Sequence, residues 1–172
     1  MNTTINMVLL YWKYIDWNWG DTMKKEEFWQ EFLQAVHKDS SAKYLECFHF
    51  ELNEKAANEL LHLVLIGKKK ATASSLLAYE MEGSNIPQAG DYSIVTDWEG
   101  NPRCVIETTA ITIIPFDEVT YEICKREGED DTLESWQIGH RKFFMNEGKA
   151  LGYEFTEHMP VVFEDFRVVF AK

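Results

Sequence analysis

The feature that most constrains the fold is a pair of strand-like segments in the middle of the chain. Residues 92–98 and 103–114 are rich in β-branched and aromatic side chains, which favour strands. The Glu-Gly-Asn-Pro sequence at positions 99–102 has the composition of a turn. The pattern predicts a β-hairpin, and a further strand is predicted over residues 161–170, where Val and Phe dominate.

Segments with helical periodicity lie on both sides of the hairpin in the sequence. They are predicted at residues 24–36, 53–66, 74–82, 116–126 and 132–151. Asn53 is a good N-cap for the second of them, and Gly67 is typical of the position just after a helix. Because the helices do not alternate regularly with the strands, the pattern predicts an α+β fold with a small curled sheet.

The first 22 residues differ from the rest of the chain. The segment 5–19 is aromatic and apolar, but it contains Lys13 and Asp16 and is too short to span a bilayer. It also lacks the basic start and cleavage site of a secretory signal. We interpret residues 1–22 as an extension that is non-native or not part of the fold, and residues 23–172 as a single domain.

The charge of the chain limits the ligands that it can bind. The net charge is −12, which opposes general binding to nucleic acid backbones, so any polyanion must be met locally. The three cysteines are an odd number without metal-like pairing, which favours a reducing, cytoplasmic compartment. The five histidines show no zinc-ligand spacing, and we predict neither a metal nor another cofactor.

One segment, residues 67–74, concentrates cationic and hydroxyl groups, and we call it the lysine segment. It reads Gly67-Lys68-Lys69-Lys70-Ala71-Thr72-Ala73-Ser74. In one interpretation the lysines only complement the dipole of the preceding helix. In the other, Lys69 and Thr72 share a site, which requires the chain to coil before a strand begins, because a three-residue spacing points to opposite faces of a strand.

Two buried carboxylates are predicted on the strands. Glu107 falls on a mainly apolar face of the second hairpin strand, where it needs a partner. The partner is either an arginine such as Arg103, or else Lys69 or Thr72. Glu164 lies among Val and Phe residues in the last strand.

The long predicted helix and the turn before it also contain candidate site residues. Trp136, His140 and Phe144 form a stripe at four-residue steps, which indicates core packing or, alternatively, stacking on a base. Residues 127–131, which we call the acidic turn, contain four carboxylates without the spacing of a calcium loop. A solvated turn is the favoured interpretation.

Several motifs in a fixed order resemble one known family. The run Gly67-Lys68-Lys69-Lys70-Ala71-Thr72 matches the G-x-K-x-x-T motif of the ASCH family, which is related to the PUA domains that bind RNA. The resemblance continues, in the same order, through residues 104–109, 115–119, 127–130 and 136–144. It spans the chain from about residue 23 to residue 170.

The resemblance implies a PUA-like mixed β-barrel with covering helices and a cleft beside the lysine segment. It implies a ligand that is RNA or a modified nucleoside. From the residues themselves we expect no membrane association. It also implies that the protein is either a binding protein, an amidohydrolase acting on an acylated cytidine, or a ribonuclease.

The residues implied for this site fall into two groups. In the amidohydrolase branch the working residues correspond by position to Lys69, Thr72 and Glu107. The substrate-binding residues that we expect are Lys68, Lys70, Ser74, Trp136 and His140. Ser74 stands where some branches carry an arginine.

Two assignments of catalytic roles to these residues are open. A neutral Lys69 can act as the base that activates the Thr72 hydroxyl as a nucleophile. A charged Lys69 would instead stabilise an oxyanion or a phosphate, and Glu107 would act as a base towards water.

Overall fold

The computed structural model describes residues 19–51 and 53–172, so the interpretation of residues 1–18 lies outside the described part. The first helix begins at Trp19, four residues before the predicted domain start. The helices of the described part are α1 Trp19–Ala35, α2 Glu54–Leu65, α3 Leu76–Glu82, α4 Tyr121–Cys124 and α5 Leu133–Leu151. None of them is long and apolar enough to cross a membrane.

Five strands form one mixed sheet, in the order β1-β3-β4-β5-β2. Their bounds are β1 Cys47–Phe48, β2 Ala71–Ser75, β3 Tyr92–Thr96, β4 Pro102–Pro115 and β5 Pro160–Ala171. The predicted hairpin is confirmed as the antiparallel pair β3 and β4, while β1 runs parallel to β3. The α+β class is also confirmed, but the described strands do not close the sheet, so "barrel" describes it only loosely.

Apolar side chains pack on both faces of the sheet. On one face, Phe163 of β5 packs with Trp136 and Phe144 of α5. On the other, Phe166 of β5 packs with α2 and with Phe50. Phe163 and Phe166, three positions apart on β5, therefore pack into two different cores, as the alternation of side chains along a strand requires.

The helix predicted over residues 74–82 begins two residues late. Ser74 and Ser75 pair with Val162 and Val161 of β5, so the ladder extends β2 through Ser75. Ser75 then caps α3, because its hydroxyl accepts the Ala78 backbone N–H at 3.3 Å.

The helix predicted over residues 116–126 is interrupted. It consists of the 3₁₀ turn Phe116–Glu118, the single-turn helix α4 and a second 3₁₀ turn, Lys125–Glu127. The backbone N–H groups of Phe116 and Asp117 donate to carbonyls that precede β5 rather than to a helix. The second 3₁₀ turn brings the acidic turn against the start of β2.

Candidate functional site

The lysine segment coils once before it becomes a strand. Gly67 adopts a positive φ of 71°, which ends α2 without the strain that a side chain would bring. The backbone N–H groups of Lys68 and Lys69 both donate to the Leu63 carbonyl, at 2.9 and 3.0 Å. The coil leaves Lys68 and Lys70 exposed, whereas Lys69 is only 2% exposed.

The buried ammonium group of Lys69 lies between two carboxylates of the acidic turn. Its Nζ atom bonds to Glu129 Oε1 and lies 3.6 Å from Glu127 Oε1. The same ammonium group lies over the Phe50 ring, 5.1 Å from its centroid. We call Lys69, Glu127, Glu129 and His140 the Lys69 cluster.

The backbone of the acidic turn makes this meeting possible. Gly128 has φ of 72°, and a Cβ placed on it would lie 2.5 Å from the Lys68 carbonyl oxygen. A second anchor is the bond from Lys70 N to Arg126 O, at 2.9 Å. Glycine is therefore required between the two glutamates by both conformation and space.

The Glu127 carboxylate accepts hydrogen bonds from both the edge strand β2 and the helix α5. Its Oε1 accepts the Ala73 backbone N–H at 2.9 Å, and its Oε2 accepts the Trp136 indole N–H at 2.5 Å. His140 Nε2 lies 3.5 Å from the same Oε2 atom. Because Glu127 is buried and Glu129 is bonded to Lys69, the acidic turn is not the solvated turn that the sequence favoured.

The aromatic stripe of α5 packs mainly into the core. Trp136 and Phe144 are fully buried, and Trp136 stacks on both Phe116 and Phe163. His140 stacks on Trp136 with ring centroids 4.1 Å apart, and its side chain keeps 15% exposure. Of the two aromatic residues expected to bind substrate, His140 is therefore the one that reaches the surface.

The charges in the Lys69 cluster do not balance when both carboxylates are ionised and His140 is neutral. One cation then faces two anions. Burial raises the pKa of Glu129, and the Glu127 charge raises it further, whereas the Lys69 ammonium opposes both effects. The Glu129 side chain is also 22% exposed. This carboxyl group, whose pKa is raised, is therefore accessible from the solvent.

Thr72 and Ser74 lie on the opposite side of β2 from the core of α5. Both are half-buried, and Thr72 is the direct cross-strand partner of Glu164 in β5. Glu164 is 4% exposed and accepts a hydrogen bond from the Thr108 hydroxyl at 2.5 Å. Burial raises the pKa of Glu164.

Glu107 is paired elsewhere. Its Oε2 accepts two bonds from the Arg167 guanidinium, at 2.9 and 2.7 Å, and the Tyr92 hydroxyl lies 3.4 Å from Oε1. The partner is an arginine, as one of the two interpretations expected, but it is Arg167 and not Arg103, which lies 3.6 Å from Asp97.

Lys69, Thr72 and Glu107 share no hydrogen bond or ion pair in the described structure. Glu107 is opposite Arg167, three residues along β5 from the residue opposite Thr72, which is about 10 Å along the strand. The structure therefore brings Lys69 to the acidic turn and Thr72 to Glu164.

The described residues also include one group of three possible metal ligands, Asp117, Glu118 and His158. All three are exposed, and His158 Nδ1 lies 3.0 Å from Asp117 Oδ1. None of them belongs to the Lys69 cluster.

Comparison with known proteins decides the family. The model of the ASCH domain matches residues 46–170. The chain belongs to the ASCH domain family. The resemblance expected from the ordered motifs is confirmed, and the matched range contains the whole lysine segment and the acidic turn.

Two solved structures are similar to this ASCH domain over most of both chains. The ASCH domain from Lactobacillus crispatus JV V101 is 36% identical, with a TM-score of 0.79, and the match covers 86% of this chain and 95% of the other. A protein from Enterococcus faecalis V583 is 33% identical, with a TM-score of 0.80 and coverage of 87% and 90%. The search of curated proteins found no match. The ASCH domain family is associated with RNA binding.

Glu127 and Glu129 are the site residues that sequence reasoning missed. The available signal was the glycine between them, which permits a close backbone approach, together with their place in one of the family-like segments. Composition alone favoured a solvated turn because such runs of carboxylates are common on surfaces.

Proposed function

We propose that this ASCH domain binds a nucleoside, either free or within a short RNA segment, beside the Lys69 cluster. The observation that carries the proposal is the buried Lys69 ammonium group, held by Glu127 and by the partly exposed Glu129. Taking three charged groups out of water is costly, and hydrophobic packing could fill the same space at no such cost. Charged clusters of this kind, with a perturbed carboxyl at the surface, are typical of functional sites.

The charge distribution favours a small ligand. A net charge of −12 repels a long polyanion, whereas Lys68 and Lys70 are exposed on either side of Lys69 and offer two local contacts to phosphate. The partly exposed carboxyl of Glu129 offers acceptor oxygens to a base edge. Together these groups suit one nucleotide with its adjacent phosphates.

Binding of a five-nucleotide RNA at several salt concentrations tests this assignment. The variant K68Q/K70Q is expected to reduce the slope of log K against log salt by about 1.4, because each single-strand phosphate contact contributes about 0.7. The control K142Q/K149Q removes the same charge from the exposed side of α5 and should leave the slope unchanged. Equal slopes for both double variants would contradict local phosphate contact.

We propose hydrolysis of an acylated nucleoside as a second function, supported by the raised pKa of Glu129 beside the Lys69 ammonium. In this reaction ionised Glu129 takes a proton from water as the oxygen attacks the acyl carbon. The Lys69 ammonium stabilises the oxyanion that forms. Cleavage of the C–N bond and return of the proton to the leaving nitrogen give a carboxylic acid and the free amino group.

This proposal gives Glu129 the role that the sequence assigned to Glu107. Thr72 stays a candidate nucleophile, since its hydroxyl lies on the half-buried face of β2.

Turnover of N-acylated cytidine by E129Q and E107Q separates the two assignments. E129Q should lose at least about a hundredfold in kcat, which is typical for removal of a general base, and E107Q should keep its activity. Loss in E107Q alone would restore the original assignment.

Ribonuclease activity can be tested in the same preparations with an end-labelled RNA. Cleavage that E129Q abolishes would identify the Lys69 cluster as a phosphodiester site and would contradict amide hydrolysis as its reaction if acylated nucleosides are not turned over.

A further inference from the structure

The second half of β4 has a neighbouring strand on one side only. β3 pairs with β4 as far as Glu107, and Thr108 still exchanges backbone hydrogen bonds of 2.9 Å with the loop before β3. β5 continues to pair with β4 up to Pro115. Among the described residues, no strand pairs with the other side of residues 109–115, which we call the free edge.

The side chains of the free edge are uncharged and open to solvent. Their sequence is Thr-Ala-Ile-Thr-Ile-Ile-Pro, in which β-branched residues dominate. Ile113 is 50% exposed, although Val162, the residue opposite it on β5, is buried. Natural sheets usually protect such an edge with a charged side chain or a covering segment. A register shift beside Thr109 and the proline at position 115 mark the two ends of the free edge, but its middle has no such protection in the described structure.

The backbone groups that face outward from the free edge belong to Ile111 and Ile113. Along a strand, the N–H and C=O groups of successive residues point to opposite sides in the plane of the sheet. The Phe116 N–H donates to the Met159 carbonyl on the β5 side, so the backbone groups of Thr112, four residues earlier, also face β5. Those of Ile111 and Ile113 therefore face away from β5, where they can bind another strand.

We propose that the free edge pairs antiparallel with the free edge of a second copy of this chain. Residues 109–115 are centred on Thr112, so a two-fold axis at Thr112 places Ile111 of each copy opposite Ile113 of the other. Each of these two pairs exchanges two N–H···O=C bonds, which uses the outward backbone groups of both isoleucines in both copies. The isoleucine side chains meet on one face of the joined sheet, and the two Thr112 side chains meet on the other.

The charge and the length of the free edge both suit a second copy. Copies with a net charge of −12 repel each other over most of their surface, but the free edge contains no Asp, Glu, Lys or Arg. β3 begins at one end of it, and at the other the chain turns away into Phe116–Glu118, so the pairing stops after residues 109–115. This contact is small beside the roughly 1,200 Å² that a standard interface buries, so the dimer is reversible and forms at high protein concentration. β5 separates β4 from β2, so the dimer does not involve the lysine segment or rest on nucleoside binding.

Sedimentation equilibrium of the full chain with charged substitutions at Thr112 tests this pairing. T112K and T112E each place like charges opposite each other at the two-fold axis, so each should weaken dimerisation by at least about tenfold. An equimolar mixture of the two variants should restore the dimer, since an ammonium group then faces a carboxylate, and this recovery also shows that both variants are folded. The control I138K changes an exposed isoleucine of α5 and should leave dimerisation unchanged.

Amide hydrogen exchange gives a second readout, at the backbone itself. The Ile111 and Ile113 amides should become more protected as the protein concentration rises, whereas Thr112, whose N–H faces β5, should be protected at every concentration. Full protection of both isoleucine amides in dilute protein would show that the edge is covered within one chain, and would overturn the proposal. A wild-type chain that stays monomeric at the highest soluble concentration, or a dimer that neither T112K nor T112E weakens, would overturn it as well.

Discussion

At the scale of single residues, three carboxyl groups on or near the sheet have three different kinds of partner. Glu107 meets a guanidinium, Glu129 meets a buried ammonium and Glu164 meets a hydroxyl. The sequence predicted that Glu107 and Glu164 would be buried, because each interrupts an apolar face of a strand. It could not predict the partners, which come from elements up to 60 residues away.

Replacement of Lys69 by methionine should destabilise the fold strongly. The variant leaves Glu127 and Glu129 without their cation in a buried place, which typically costs about 3–5 kcal/mol. Urea unfolding measures the change in free energy. K70M, which alters an exposed lysine one residue later, should change it by less than about 0.5 kcal/mol. Equal effects for the two variants would show that Lys69 is not a buried ion in solution.

Glu164 should make stability depend on pH in a defined direction. Because its pKa is raised above the ordinary value of 4.5 in the folded state, the favourable contribution of the protonated form is complete below pH 4.5 and is lost as the pH rises through the folded pKa. The free energy of unfolding of the wild type should therefore fall relative to that of E164Q as the pH rises above 4.5. A difference that stays constant or grows in favour of the wild type would contradict the raised pKa.

At the scale of elements, the sequence predicted most of what local chemistry controls. The hairpin, the Asn53 cap and the end of α2 near Gly67 all depend on neighbours within a few residues. Two of the errors concern segments that long-range pairing decides. β5 extends β2 into the predicted start of α3, and backbone bonds to residues before β5 interrupt the helix predicted after Pro115.

The contact between the acidic turn and the lysine segment should depend on Gly128. An alanine there would need a left-handed backbone and would place Cβ 2.5 Å from the Lys68 carbonyl oxygen. We expect G128A to lower the free energy of unfolding by at least about 2 kcal/mol and to weaken nucleoside binding.

Gly139 provides the matched control for this substitution. It lies in α5 with open space around it, and G139A should raise stability by about 0.5–1 kcal/mol, since alanine favours a helix. If G128A and G139A change stability alike, the close approach of the two segments does not exist in solution.

At the scale of the whole molecule, the protein is acidic, and the buried Lys69 ammonium group of the proposed site is paired with two carboxyl groups of the same chain. The net charge of −12 is readable from the sequence and already argued against long polyanions. The pairing of Lys69 with Glu127 and Glu129 could not be predicted from the sequence, because it requires the acidic turn to fold back onto β2.

RNA length should therefore have little effect on affinity. Extension from 5 to 20 nucleotides should not tighten binding per site, since the added phosphates meet an acidic surface. Fluorescence anisotropy with labelled oligonucleotides measures this. An affinity that rises steadily with length would indicate an extended RNA surface rather than a local nucleoside site.

The most direct measurement is a nuclear magnetic resonance titration of the ¹⁵N-labelled full chain with cytidine. We expect the largest backbone shifts at residues 67–75 and at Gly128 and Glu129, with smaller ones at Glu164 and Phe166. Shifts confined to the exposed side of α5 or to the Glu107–Arg167 pair, with none in the lysine segment, would contradict a nucleoside site at the Lys69 cluster.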